Sequence, residues 1–158
     1  MDGRRANSTF YAFDSKAYRA LWVNSALMLT VMHLAFTAHA TVAFEITGKN
    51  SSVGVISFAI GLALLVTTPL SGTIADRLSK RLLMLFCQAL FIVMAVLLAV
   101  LLYADALTIE IMSFATFLFG CGVSFFWPAI TAWMGDVVEP DKQANGAALF
   151  QIALNLTR

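Results

Sequence analysis

Charged residues fall in short clusters along the chain, and long apolar runs separate them. No Asp, Glu, Lys or Arg occurs from Ala20 to Phe44, from Asn50 to Ala75, from Leu82 to Ala104 or from Ile111 to Gly135, and each interval holds 23 to 26 residues. About 20 helical residues cross a hydrocarbon layer of roughly 30 Å. Backbone groups in lipid must bond within their own segment, so each run predicts a transmembrane helix. The strict apolar–polar alternation of a membrane barrel is missing. A fifth uncharged run opens after Lys142 and holds 15 residues before Arg158, too few for a comfortable span. The pattern predicts an all-α membrane protein: a segment 1–19, then a transmembrane domain 20–158 with spans near 20–44, 51–75, 82–104, 110–134 and, incompletely, 143–158.

Composition sharpens this. Of 158 residues, 60% are hydrophobic and 12% charged, against about half and roughly a quarter in soluble domains. A core of this size cannot hide that apolar excess, so the lipid bilayer is an expected partner. A net charge of +1 gives no electrostatic case for nucleic acid. Lys and Arg in short loops set orientation. Arg4, Arg5, Lys16, Arg19, Arg77, Lys80, Arg81 and Lys142 fall on one side of the alternating spans, and Lys49 alone falls on the other. That bias predicts a cytoplasmic N-terminus in a multi-pass plasma (inner) membrane protein. Ala38-His39-Ala40 has the look of a signal-peptide cleavage site. The first run is too long for one, is interrupted by Asn24 and His33, and is followed by further spans. Cys87 and Cys121 lack metal-ligand spacing and read as small hydrophobes packed between helices. No cofactor or metal is expected.

The loop after the second run reads Gly72-Thr73-Ile74-Ala75-Asp76-Arg77-Leu78-Ser79-Lys80-Arg81. It resembles the signature cytoplasmic loop of the major facilitator superfamily, Gly-x-x-x-Asp-Arg-x-Gly-Arg-Arg/Lys, with Ser79 in place of the second glycine. A further stretch, Trp127-Pro128-Ala129 followed by Asp136 to Asn145-Gly146 and Asn155-Leu156-Thr157-Arg158, resembles the branch holding macrolide pumps and the enterobactin exporter. Members of the superfamily have about twelve helices in two six-helix halves, each built from inverted three-helix repeats. The resemblance implies that this chain is part of an N-terminal half, with four complete helices and a fifth begun. It also implies a missing C-terminal half as partner and a small-molecule substrate.

The resemblance gives Gly72, Asp76, Arg77, Lys80 and Arg81 a gating role. The counterpart of Asp76 contacts a helix start in the other half and holds one state of alternating access. A carboxylate at a helix N-terminus is favoured by about 0.3–1 kcal/mol. The simpler reading pairs Asp76 with Arg77, Lys80 or Arg81. At about 100° per residue, Thr30, His33, Thr37 and Thr41 form one stripe on the first helix. Such a stripe should face protein or water, not lipid, and His33 is its one ionisable member. His39 lies on the opposite face and reads as structural. Gln151, Asn155 and Arg158 share a face of the fifth helix. A buried arginine there costs about 2.5–3.5 kcal/mol, which an anionic or carbonyl-rich substrate would offset; near a chain end it can instead snorkel. On the fourth helix, Gly120, Gly122 and Ser124 suit close helix packing, and Pro128 suits a kink. Phe125, Phe126 and Trp127 read as packing or as a hydrophobic path. Drug–proton antiporters often have arginine where this chain has Thr116, and the first helix lacks a buried carboxylate. Both departures weaken a proton-coupled scheme.

The resemblance implies a secondary transporter, an exporter of small amphipathic molecules such as drugs or siderophores. It would work by alternating access through a cavity lined by the first, second, fourth and fifth helices. The second helix would supply Gly61, Thr67 and Thr68 near Pro69. The alternative is a self-standing or truncated helical protein that oligomerises as a scaffold, pore or accessory subunit. An enzyme finds no support: there is no metal spacing, no Ser/His/Asp set and no buried carboxylate pair. Asp105 and Glu110 read as solvated loop residues.

Overall fold

In the computed structural model the described residues are 11–157, apart from the side chains of Tyr11, Asp76 and Asp141. They form five α-helices: α1 (Lys16–Thr47), α2 (Asn50–Arg77), α3 (Lys80–Tyr103), α4 (Ile109–Val137) and α5 (Gln143–Leu156), with single 3-10 turns at Tyr11–Asp14 and Pro140–Lys142. No strand occurs among the described residues. Helices α1 to α4 are long and apolar enough to cross a membrane. With 14 residues, α5 reaches about 21 Å, short of the hydrocarbon layer.

The helices outlast the uncharged runs. The first begins at Lys16 rather than at Ala20, and α4 continues through Asp136 to Val137. Lys and Arg are good helix formers, and their stems lie along apolar surface while their charges reach water. A charge therefore marks the edge of the hydrocarbon but does not end the helix. The ends have local causes. Gly48 takes φ 67°, and its amide bonds the Phe44 carbonyl at 2.7 Å, a left-handed C-terminal cap. Asp105 plays the same part after α3 at φ 53°. The Ala106 amide reaches the Leu101 carbonyl at 2.9 Å and the Asp105 amide the Leu102 carbonyl at 3.2 Å, closing a Schellman motif without glycine.

The chain divides into two compact units, 1–33 with 130–158, and 34–129. In the first, Ala12, Tyr18, Val138 and Leu149 form a buried cluster with Phe13, Trp22, Met134 and Val137 packed around it. Phe13 meets Tyr18 and Trp22 edge-on, with centroids 5.5 and 5.4 Å apart. In the second, Ala43, Ile56 and Met112 form a cluster that joins α1, α2 and α4. Phe91 of α3 packs on Phe119 of α4 at 4.7 Å.

Candidate functional site

The polar stripe of α1 lies along one face of a continuous helix. Thr30, Thr37 and Thr41 are exposed and His33 is half-buried. Their polar atoms turn first to their own helix. Thr30 donates to the Ala26 carbonyl at 2.9 Å and Thr41 to the Thr37 carbonyl at 3.0 Å, and the His33 Nδ1 lies 2.8 Å from the Leu29 carbonyl. Back-bonding of this kind uses the hydroxyl protons of Thr30 and Thr41 and leaves their oxygens able to accept. The opposite face is closed: His39 is buried, its Nδ1 lies 3.1 Å from the Thr116 hydroxyl, and its ring meets Phe119 edge-on at 5.4 Å.

On α5, Gln151 and Asn155 are exposed, while Leu149, Phe150 and Ala153 are buried. Primary amides carry two donors and an acceptor each, so this face asks for polar surroundings. Arg158 lies outside the described residues.

The α2–α3 loop holds Arg77, Lys80 and Arg81 within five positions. Arg77 ends α2, Lys80 opens α3, and both arginines are exposed. Gly72 is exposed, and an added Cβ there meets nothing within 4 Å. Asp76 belongs to the last turns of α2, and its side chain lies outside the described residues.

Three small residues of α4 let helices approach. A Cβ on Gly120 would stand 2.7 Å from the Cβ of Ala63 and 3.4 Å from the Ile60 backbone, so α2 crosses α4 too closely for any side chain there. A Cβ on Gly122 would meet the Phe91 ring of α3 at 2.6 Å. Four residues after Gly120, the Ser124 and Thr67 hydroxyls bond each other across the crossing at 2.6 Å. Each also reaches a carbonyl of its own helix, Cys121 at 2.8 Å and Ala63 at 2.6 Å. Two protons serve three such contacts, so the hydroxyl that donates across the helices gives up its own back-bond while the other can keep its own. Pro128 lies inside α4 and Pro69 inside α2, each withholding one amide from the helical ladder. Phe126 is buried, and Phe125 and Trp127 are half-buried.

Sequence reasoning missed the polar clamp on α5. The Tyr18 hydroxyl donates to the Gly146 carbonyl at 2.7 Å, and the Trp22 indole N–H to the Leu149 carbonyl at 2.9 Å. The Asn145 side chain accepts from the Ala12 amide at 3.0 Å. A Cβ on Gly146 would stand 3.4 Å from the Tyr18 ring, so glycine leaves the ring room beside the carbonyl. A signal was available: Tyr18 and Trp22 are four apart on one helix face, at the depth where rings with one polar tip gather.

Among the described residues no group of His, Cys, Asp or Glu is placed to hold a metal ion. A family model described as transmembrane secretion effector matches residues 7–158. No curated protein and no solved structure matches the chain.

Proposed function

Because the chain belongs to the transmembrane secretion effectors, transporters of the major facilitator type, we propose that it serves to export small amphipathic molecules by alternating access. The drug- or siderophore-like substrate class follows from the likeness of Trp127-Pro128-Ala129 and Asn155 to Arg158 to exporters of that kind. The proposed setting is the plasma membrane, with the N-terminus in the cytoplasm as the basic loops favour.

The observation that carries the reading is the uncovered polar surface in a multi-pass membrane protein of this family. Thr30 and Thr41 of the α1 stripe cost lipid little, since their protons are already bonded. The outward amides of Gln151 and Asn155 are costly in hydrocarbon and suit a water-filled path. In this scheme His33 with the α5 amides contacts substrate, Thr37 continues the same polar stripe of α1, and Arg158 supplies charge. Asp76, in the same loop as Arg77, Lys80 and Arg81, gates the cytoplasmic side against a further helix of the transporter.

The test is accumulation of lipophilic dyes and catecholate compounds in cells making the whole transporter. Accumulation falls below that of control cells, and Asp76→Asn restores it while leaving the protein in the membrane. Equal accumulation with and without the protein contradicts export, and an active Asp76→Asn variant contradicts the gate.

One observation favours a second reading, assembly without transport. Gly54, Ser57, Gly61, Thr68 and Gly72 fall on one face of α2 and are all exposed, and small residues let helices associate closely in membranes. A second copy docking there would make a scaffold. A dimer in lipid that Gly61→Leu dissolves, with no change in dye accumulation, selects that reading.

A further inference from the structure

An apolar groove of about 450 Å³ opens beside the basic α2–α3 loop, lined by Leu78 at the end of α2, Leu82, Leu83 and Phe86 of α3, and Phe125 of α4. Its lip, Leu78 and Ser79, interleaves in sequence with Arg77, Lys80 and Arg81. Those three cations outnumber the one carboxylate of the loop, Asp76. We propose that this groove holds one acyl chain of an anionic phospholipid whose headgroup sits on Arg77 and Arg81.

Two features fix the occupant as lipid rather than another helix. The α3 wall of the groove is bulky: Leu82 is 68% and Phe86 66% exposed. Helix-docking faces in membranes instead favour small residues, and the groove end of α3, residues 80–88, contains no Gly, Ala, Ser or Thr. Its apolar window also has the highest mean hydropathy of the four long helices, 2.9, and the least burial, 11%. The headgroup end is equally specific. Ser79 gives α3 no side-chain cap, and the first turn has no acidic residue. The positive end of the helix and the two exposed guanidinia therefore face the same negative charge. Basic pockets between transmembrane helices bind anionic headgroups, and each Lys or Arg near a membrane surface adds about 1 kcal/mol of attraction to anionic lipid, a factor of about five. Arginine also matches phosphate oxygens in a two-pronged contact. The proposal does not depend on what the chain transports.

The test places a reporter in the groove. The Phe86→Trp variant is reconstituted in vesicles carrying a small fraction of brominated phosphatidylglycerol or brominated phosphatidylcholine. Quenching of the added indole is read against the parent protein. The added indole favours the brominated phosphatidylglycerol, and Arg77→Gln and Arg81→Gln each lower that preference about fivefold. A Val96→Trp variant, further along the exposed face of α3, is quenched equally by both lipids and verifies insertion of every variant. If an arginine variant fails to insert, the preference in the unaltered loop decides alone. Equal quenching by the two lipids at position 86, or shielding from both, overturns the proposal, the latter by showing that protein covers the groove.

Discussion

Helices α2 and α3 follow each other in sequence and differ in length by four residues, 28 against 24. Both leave most of their surface uncovered: 17% of the α2 window and 11% of the α3 window is buried. Their uncovered faces nonetheless differ in kind. Ten of the 28 residues in α2 are Gly, Ser or Thr, whereas α3 has none in 24. Much of the small set, Gly54 through Gly72, lines one exposed face beside a bulky one carrying Phe58, Leu62 and Val66. On α3 the exposed residues include Leu82, Leu85, Phe86, Ile92, Val93, Val96, Leu97, Val100 and Leu102, with alanines between them. Low burial alone thus says little about what a membrane helix meets. Side-chain size separates a face suited to lipid tails from one suited to backbone approach or water.

The comparison can be broken at several points. The largest effect is expected at Gly72. Gly72→Leu fills open space, so the chain folds and inserts as before, but dye export by the whole transporter is lost. Retained export would mean that the small face of α2 meets only lipid. Next comes the α2–α4 crossing. Gly120→Ala places a Cβ against Ala63 and lowers stability in detergent by about 1–3 kcal/mol. Gly61→Ala, on the open face of α2, changes it by less than about 0.5 kcal/mol. Similar losses at both glycines would show that the two faces of α2 are not distinct. A double-mutant cycle of Thr67→Val with Ser124→Ala reads the hydroxyl bridge, with an expected coupling of about 0.6 kcal/mol. A coupling near zero would leave Gly120 alone to hold that crossing. The smallest effect belongs to α3: Val93→Leu on its exposed face shifts the melting temperature within error and leaves export unchanged, and a clear loss would place protein against that face.

The four long apolar helices were legible because charge is excluded from hydrocarbon, which leaves a gap that can be counted. The ends were less legible. Lys16 and Arg19 lie outside the uncharged run yet inside α1, since helical bonding continues in water. The left-handed cap at Asp105 uses a residue for which that conformation is uncommon. Contacts between distant residues were hardest to see. Tyr18 and Gly146 are 128 positions apart, and nothing in either neighbourhood names the other. The pairing of Thr67 with Ser124 likewise needs the register of α2 on α4, which periodicity alone does not supply. The polar stripe of α1 was legible as a stripe, because it needs only helical spacing. That Thr30 and Thr41 bond back to carbonyls of their own helix was not.

The central claim is that the polar faces of α1 and of α5 each meet water, while the exposed face of α3 meets lipid. Single cysteines report on it directly, in a background with Cys87→Ala and Cys121→Ala. Each variant of the whole transporter is exposed in membranes to a charged maleimide that cannot enter lipid. The account predicts labelling of Thr37→Cys and Asn155→Cys and none of Val93→Cys. Thr37→Cys and Asn155→Cys as unreactive as Val93→Cys would contradict it.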